Sequence, residues 1–207
     1  MATSAQTVQA PARGRPRDPA RDARILDAAL ALVAQVGYDR MTVDAIAERA
    51  GVSKPTIYRR WNGKSEVVAD AIRHRKDEAV AADTGSLRGD LLAVVHAQAE
   101  TISGDENAQI VAGLTGLLRS SDEFATLFRE RAIAPERARW AQLLDRATAR
   151  GELAPGAVVT PLFADIAGSL VFTRVMIARE PIDDAFVEEL VDRVLLPILP
   201  LHSLEKH

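Results

Sequence analysis

Thr42-Val43-Asp44-Ala45-Ile46-Ala47-Glu48-Arg49-Ala50-Gly51-Val52-Ser53-Lys54-Pro55-Thr56-Ile57-Tyr58-Arg59-Arg60-Trp61 reads as two short helices joined by a tight turn. Thr42 has the side chain of an N-cap, and Asp44 in the first turn complements the helix dipole. Val43, Ile46, Ala47 and Ala50 recur at the helical apolar period. Gly51 falls where the helix must stop, because glycine enters a left-handed conformation cheaply. Ser53 then caps a second helix, with Pro55 in its first turn, where a missing N–H is tolerated. Ile57 and Trp61 give that helix one buried face, which leaves Lys54, Thr56, Tyr58, Arg59 and Arg60 on the other. Small Ala47, Gly51 and a buried Ile57 let the two helices cross closely. That is the helix-turn-helix arrangement, whose second helix enters the major groove of DNA. The plainer alternative is a helical hairpin with a solvated basic face.

Composition narrows the class. The 207 residues are 27% charged and 47% hydrophobic, as in an ordinary soluble globular protein. Ala, Leu, Arg and Glu outnumber strand formers, which predicts an all-α fold. The chain has no cysteine, so disulfides and thiolate metal sites are excluded, in keeping with a reducing cytoplasmic setting. Residues 1–18 lack the apolar core of a secretory signal. The most apolar stretch, 161–178, is interrupted by Asp165 and Arg174 and reads as a buried helix.

The net charge of -3 hides a polarity. Residues 1–64 carry 11 Lys and Arg against 6 Asp and Glu, whereas residues 65–207 carry 15 against 23. A basic head on an acidic body suits local attraction to phosphate. None of the four histidines has metal-ligand spacing and no glycine-rich phosphate loop is present, so no cofactor, metal or enzymatic activity is expected.

Punctuation divides the chain. Residues 1–17 form a polar arm ending in Arg13-Gly14-Arg15-Pro16-Arg17. Such a strip is slim enough for the minor groove, where Arg13, Arg15 and Arg17 meet strong negative potential; the alternative is a solubilising tail. Asp18-Pro19 opens the first helix of the head, 18–64. A linking helix, 65–82, precedes the break at Asp83-Thr84-Gly85-Ser86. The body, 83–202, predicts helices near 87–103, 105–119, 122–150 with a kink or break at Pro135, 158–179 and 183–199; residues 203–207 are a tail.

Residues 18–68 resemble the DNA-binding domain of the TetR family of transcriptional regulators. The resemblance rests on Ile25-Leu26-Asp27-Ala28-Ala29, Gly37-Tyr38, the Thr42–Ala47 run, Gly51-Val52-Ser53, Thr56-Ile57-Tyr58 and Trp61-x-x-Lys64. The spacing of Leu87-Arg88-Gly89-Asp90-Leu91 and Ala149-Arg150-Gly151-Glu152-Leu153 resembles one subgroup of TetR-type bodies. Gly63 departs from the family pattern, which favours Ser, Asp or Asn before Lys64, so either Asn62 or Gly63 caps the linking helix.

The resemblance implies a DNA-binding transcriptional regulator, with contacts placed by motif position. Lys54, Pro55, Thr56 and Arg59 are expected at base edges. Ser53 lies at the same helix start, while Thr42, Tyr58, Arg60 and Lys64 are expected on phosphates; Tyr58 has the alternative of covering the core. The resemblance further implies a homodimer on an inverted-repeat operator and release by a small-molecule effector. Phe163, Ile166, Leu170, Val187, Leu190, Val191, Val194 and Leu195 are the dimer-interface candidates, with internal core as the alternative. His96, Leu118, Phe128, Trp140, Leu144, Phe172, Arg174 and Met176 are the effector-pocket candidates, again with core as the alternative. A DNA-binding architectural or adaptor protein without effector response is the competing function.

Overall fold

Asp18 sits in extended backbone and its carboxylate accepts the Arg21 N–H at 3.2 Å, so the chain enters α1 (Pro19–Val36) through the Asp-Pro pair. The computed structural model describes residues 18–78, 83–154, 160 and 162–200. The basic arm with Arg13, Arg15 and Arg17, the turn at 155–156, the end of the linking helix and the tail lie outside the described residues. α2 (Val43–Ala50) starts at Thr42, whose hydroxyl accepts the Ala45 N–H at 3.1 Å. Gly51 adopts φ 65° and ψ 39°, which lets the Val52 N–H return to the Ala47 carbonyl at 2.9 Å. A Cβ at Gly51 would meet nothing within 4 Å, so conformation and not space calls for glycine there.

α3 (Lys54–Tyr58) is only five residues long, and Trp61 lies just beyond it. Ser53 occupies the cap position but accepts no helix N–H through its side chain. Its hydroxyl instead meets the Thr56 hydroxyl at 2.8 Å, and the turn is closed by backbone, Thr56 N–H to Ser53 carbonyl at 2.8 Å. The competing hydroxyl three residues on is the reason that the sequence-predicted cap is replaced. At α4 (Lys64–Glu78) the Gly63 carbonyl accepts the first helical bond, from Val67, at 3.3 Å. Glu66 reaches back to the Asn62 side-chain amide at 2.9 Å and its N–H at 3.2 Å. Gly63 is thus the cap residue, and Glu66 ties Asn62, the residue before it, to the first turn of α4.

The body begins with α5 (Leu87–Ile102), capped by Ser86, followed by α6 (Asp105–Ser120) and α7 (Asp122–Phe128), capped by Ser121. α7 runs through a π turn, Arg129–Ile133, into α8 (Ala134–Ala149). The irregularity expected at Pro135 lies in the preceding turn. Proline cannot donate to the carbonyl four residues back, and the wider turn absorbs that loss, with the Ala134 N–H bonding the Arg129 carbonyl. α9 (Leu162–Phe172) and α10 (Asp184–Leu190) each continue into a π turn, at Thr173–Ala178 and Val191–Leu195.

Two cores result. The first joins Ile25, Ile46, Ile57 and Trp61 of the head and Val67 of α4 to Leu114, Leu117 and Phe124 of α6 and α7. A Cβ built on Gly113 of α6 would stand 3.4 Å from Val33 of α1, so the two helices pack closely. The second core joins α5, α8, α9 and α10. Phe163, Val187, Leu190, Val191 and Leu195, read from the sequence as interface, are buried in this second core of the protomer itself, with Ile166 and Val194 packed against it. Apolar periodicity identifies a buried face but not the partner that buries it. Leu162, Leu170, Ile177 and Ile198 are the large apolar residues that this end of the body leaves exposed.

The two body motifs, sixty residues apart, meet in space. Asp90 is fully buried and accepts from the Thr84 N–H and hydroxyl, each at 2.7 Å, and from Arg150 at 3.0 Å. Glu152 accepts the Leu87 N–H and the Arg150 Nε–H, each at 2.5 Å. This network fastens the turn after α4 to the end of α8. Gly89 has no room for a Cβ, which would clash with the Thr84 side chain.

Candidate DNA interface and body cavity

α3 is too short to persist alone. Ile57 is fully buried, and the Trp61 indole N–H donates to Asp70 of α4 at 2.8 Å. The Arg131 guanidinium, on the π turn of the body, meets the same Asp70 at 3.3 Å and Glu66 at 3.4 Å. A chain of contacts therefore runs from the body through α4 to the end of the recognition helix.

On the outer face, Lys54, Pro55, Tyr58 and Arg59 are exposed and Thr56 is half-buried, with Tyr58 48% accessible. Lys54 is paired with Asp44 at the start of α2, at 2.9 Å, and the hydrogen bond to that carboxylate raises the Lys54 pKa above its usual value. Arg59 donates to the Thr56 hydroxyl at 3.2 Å. Arg60 is ion-paired with Asp22 of α1. The Thr42 hydroxyl uses a lone pair on Ala45 and retains its own proton for donation.

Lys64, expected on a phosphate, is differently engaged. Its ammonium donates to the carbonyls of Tyr38, Asp39 and Met41 at 2.8, 3.2 and 3.1 Å and lies 4.3 Å from the Tyr38 ring centre. Three donors meet three acceptors, so Lys64 fastens the turn before α2 and has no proton left for DNA. Tyr38 completes this joint, with its hydroxyl 2.6 Å from that of Ser65; burial, foremost, raises its pKa. Sequence reading missed Asp22 and Asp44 as partners, since acidic residues on a DNA-facing head carry no local signal of that role.

The body holds a cavity of about 680 Å³. Leu30 of α1 and Ile72, Arg75 and Lys76 of α4 form one wall, and α5, α6, the end of α7, α8 and α9 with their adjoining π turns supply the rest. Of the residues named from the sequence as pocket candidates, Leu118, Phe128 and Phe172 line it. Trp140 and Leu144 instead border a neighbouring cavity of about 710 Å³. His96 lies outside the cavity wall, half-buried and 3.9 Å from Asp184 of α10, which packs on that side of α5. Arg174 turns outward, donating to the Pro181 carbonyl at 2.7 Å, pairing with Glu180 at 2.9 Å and lying over Phe186. Met176 lies on the π turn after α9, outside the cavity wall. Polar residues that the sequence did not single out enter the wall: Lys76 pairs with Glu136, which also accepts from Gln98 at 2.5 Å, and Arg137 grips Asp165 with two hydrogen bonds. No helix among the described residues is long and apolar enough to cross a membrane.

Comparison with known proteins agrees with this architecture. Residues 25–71 match the family described as bacterial regulatory proteins, tetR family, and residues 81–194 match the tetracyclin repressor-like C-terminal domain. The chain is 33% identical over 180 residues to the uncharacterized HTH-type transcriptional regulator YdeS of Bacillus subtilis, covering 86% of this chain and 90% of that one. It is 32% identical over 190 residues to the DNA-binding transcriptional repressor TetR of Mycobacteroides abscessus, covering 88% and 96%. Among solved structures, the TetR family transcription regulator SCO0332 superposes with a TM-score of 0.69 at 31% identity, covering 87% of this chain and 99% of that one. A buried helix-turn-helix with a basic outer face, continuous with an all-helical body and matched along nearly its whole length, makes this chain a member of the TetR family of DNA-binding transcriptional regulators.

Proposed function

We propose that the protein is a homodimeric repressor that holds an inverted-repeat operator and releases it when a small molecule fills the body cavity. The observation that carries this reading is the wall shared by α1 and α4 with the body. A ligand there touches the two helices that position the head, so its binding energy can differ between a DNA-competent arrangement and a second one. That differential affinity sets how far the equilibrium moves. The name of the Mycobacteroides abscessus relative supports repression over activation.

In this reading Lys54, Pro55, Thr56 and Arg59 address base edges, and Thr42, Ser53, Tyr58 and Arg60 address phosphates. The arm residues Arg13, Arg15 and Arg17 follow the adjacent minor groove. Two copies join through the exposed apolar residues of α9 and its continuation, Leu162, Leu170 and Ile177. A two-fold dimer sets its recognition helices about 34–36 Å apart, one turn of DNA.

Selection of binding sites from a random duplex pool tests the reading. Recovery of one inverted repeat supports a sequence-specific dimer, and a Leu170→Glu, Ile177→Glu double variant is expected to sediment as a monomer and lose that site. Uniform recovery of unrelated sequences would point to an architectural binder instead.

A further inference from the structure

The charges in the cavity wall do not balance, and the imbalance describes a ligand. Three cations and two carboxylates line it. Lys76 is paired with Glu136, and Arg137 with Asp165. The remaining cation, Arg75, donates to the side-chain carbonyl of Asn107 at 2.5 Å and has no carboxylate partner among the described residues. Asn107 is itself held by its amide, which donates to the Glu100 and Ser103 carbonyls at 3.1 and 2.7 Å, so it presents a neutral acceptor to a guanidinium with donors to spare. The rest of the wall is largely apolar, with Leu30, Ile72, Ile102, Leu114, Phe128 and Phe172 among its residues. A partly desolvated cation beside an apolar volume favours a ligand that brings one negative charge and a lipophilic remainder.

We infer that the cavity binds a lipophilic carboxylic acid, with its carboxylate on Arg75 and its apolar part among Ile72, Leu114 and Phe128. This rests on the effector reading of the same cavity. A cationic ligand meets carboxylates that already have partners, and a neutral one leaves the Arg75 charge uncompensated. The volume of about 680 Å³ lies in the range of sites for small organic ligands. Because Arg75 belongs to α4, the charged contact is made directly with the helix that carries the head.

Three probes with one tail isolate the head group: decanoate, decanol and decylamine, each titrated calorimetrically into the full-length protein without DNA. Decanoate is expected to bind most tightly. Arg75→Gln is expected to weaken decanoate about tenfold, the size of one charge-assisted contact, and to leave decanol unchanged. Unchanged decanol binding also shows that the variant retains its cavity. Arg75→Lys, which keeps the charge, is expected to recover part of the decanoate affinity. Equal binding of all three probes, preference for decylamine, equal weakening of every probe by Arg75→Gln, or no binding of any would overturn the assignment. Displacement from the selected operator is read separately. Arg75-dependent decanoate binding that leaves DNA affinity unaltered would uphold the ligand class and reject the effector role of the cavity.

Discussion

The ammonium of Lys64 meets three carbonyls of a turn that lies 23 to 26 residues earlier in the chain. Its position in the motif is readable from the sequence, but its work is not, because those carbonyls are brought to it only by folding. Lys64→Met is expected to lower stability by about 2 kcal/mol, the scale of hydrogen bonds to a charged group, seen as a lower urea midpoint. Loss of DNA affinity at undiminished stability would return Lys64 to the phosphates. Asp90 gives a pH-dependent case. Burial pushes its carboxyl up, but the Thr84 N–H and hydroxyl and the Arg150 guanidinium outweigh it and hold the pKa below the ordinary 3.8. The stabilisation is therefore full above the ordinary carboxylate range and is lost as pH falls through the depressed folded value. Asp90→Asn should cost about 3 kcal/mol near neutrality, as expected for an interrupted buried pair, and the cost should shrink in acid. Urea midpoints measured down the acid range check this; a cost independent of pH would contradict it.

Among the elements, caps and stops were the most legible. Asp18, Thr42, Gly51 and Ser86 act through neighbours one turn away, so local sequence contains the whole interaction. Ser53 departed from expectation because a second hydroxyl stood within its reach. The Pro135 irregularity was foreseen in kind but displaced to the preceding turn, since the backbone adjusts where the missing hydrogen bond falls. α3 depends on anchors beyond its own five residues, and the indole N–H of Trp61 is one of them. Trp61→Phe keeps the apolar filling and removes that bond. It is expected to cost about 1 kcal/mol and to weaken operator and unrelated DNA by similar factors, because the whole helix loosens. Fluorescence anisotropy on both duplexes distinguishes this from a selective loss, which would assign Trp61 to base reading.

At the scale of the whole molecule, sequence punctuation and packing divide the chain differently. Asp83-Thr84-Gly85-Ser86 interrupts the chain, yet the first core crosses that break to enlist Leu114, Leu117 and Phe124. The interface and pocket candidates suffered from the same limit. Apolar stripes were visible, but whether another helix, a second protomer or a cavity faces each stripe depends on contacts distant in sequence. The shared core predicts that head and body melt together, as one calorimetric transition at fixed protein concentration. Two separated transitions would show that the α1 and α6 contact contributes little.

The pairing of Lys54 with Asp44, and of Arg60 with Asp22, has a consequence for ionic strength. A cation that keeps an internal anion beside it neutralises less of the duplex, so fewer condensed counterions leave when the complex forms. The logarithm of affinity should fall less steeply with the logarithm of salt than a count of basic side chains on this face suggests. Asp44→Asn should steepen that slope by up to about one unit per recognition helix and strengthen binding to random DNA more than to the operator. In the proposed complex, the acidic side chain beside Lys54 is thus expected to restrain indiscriminate adhesion.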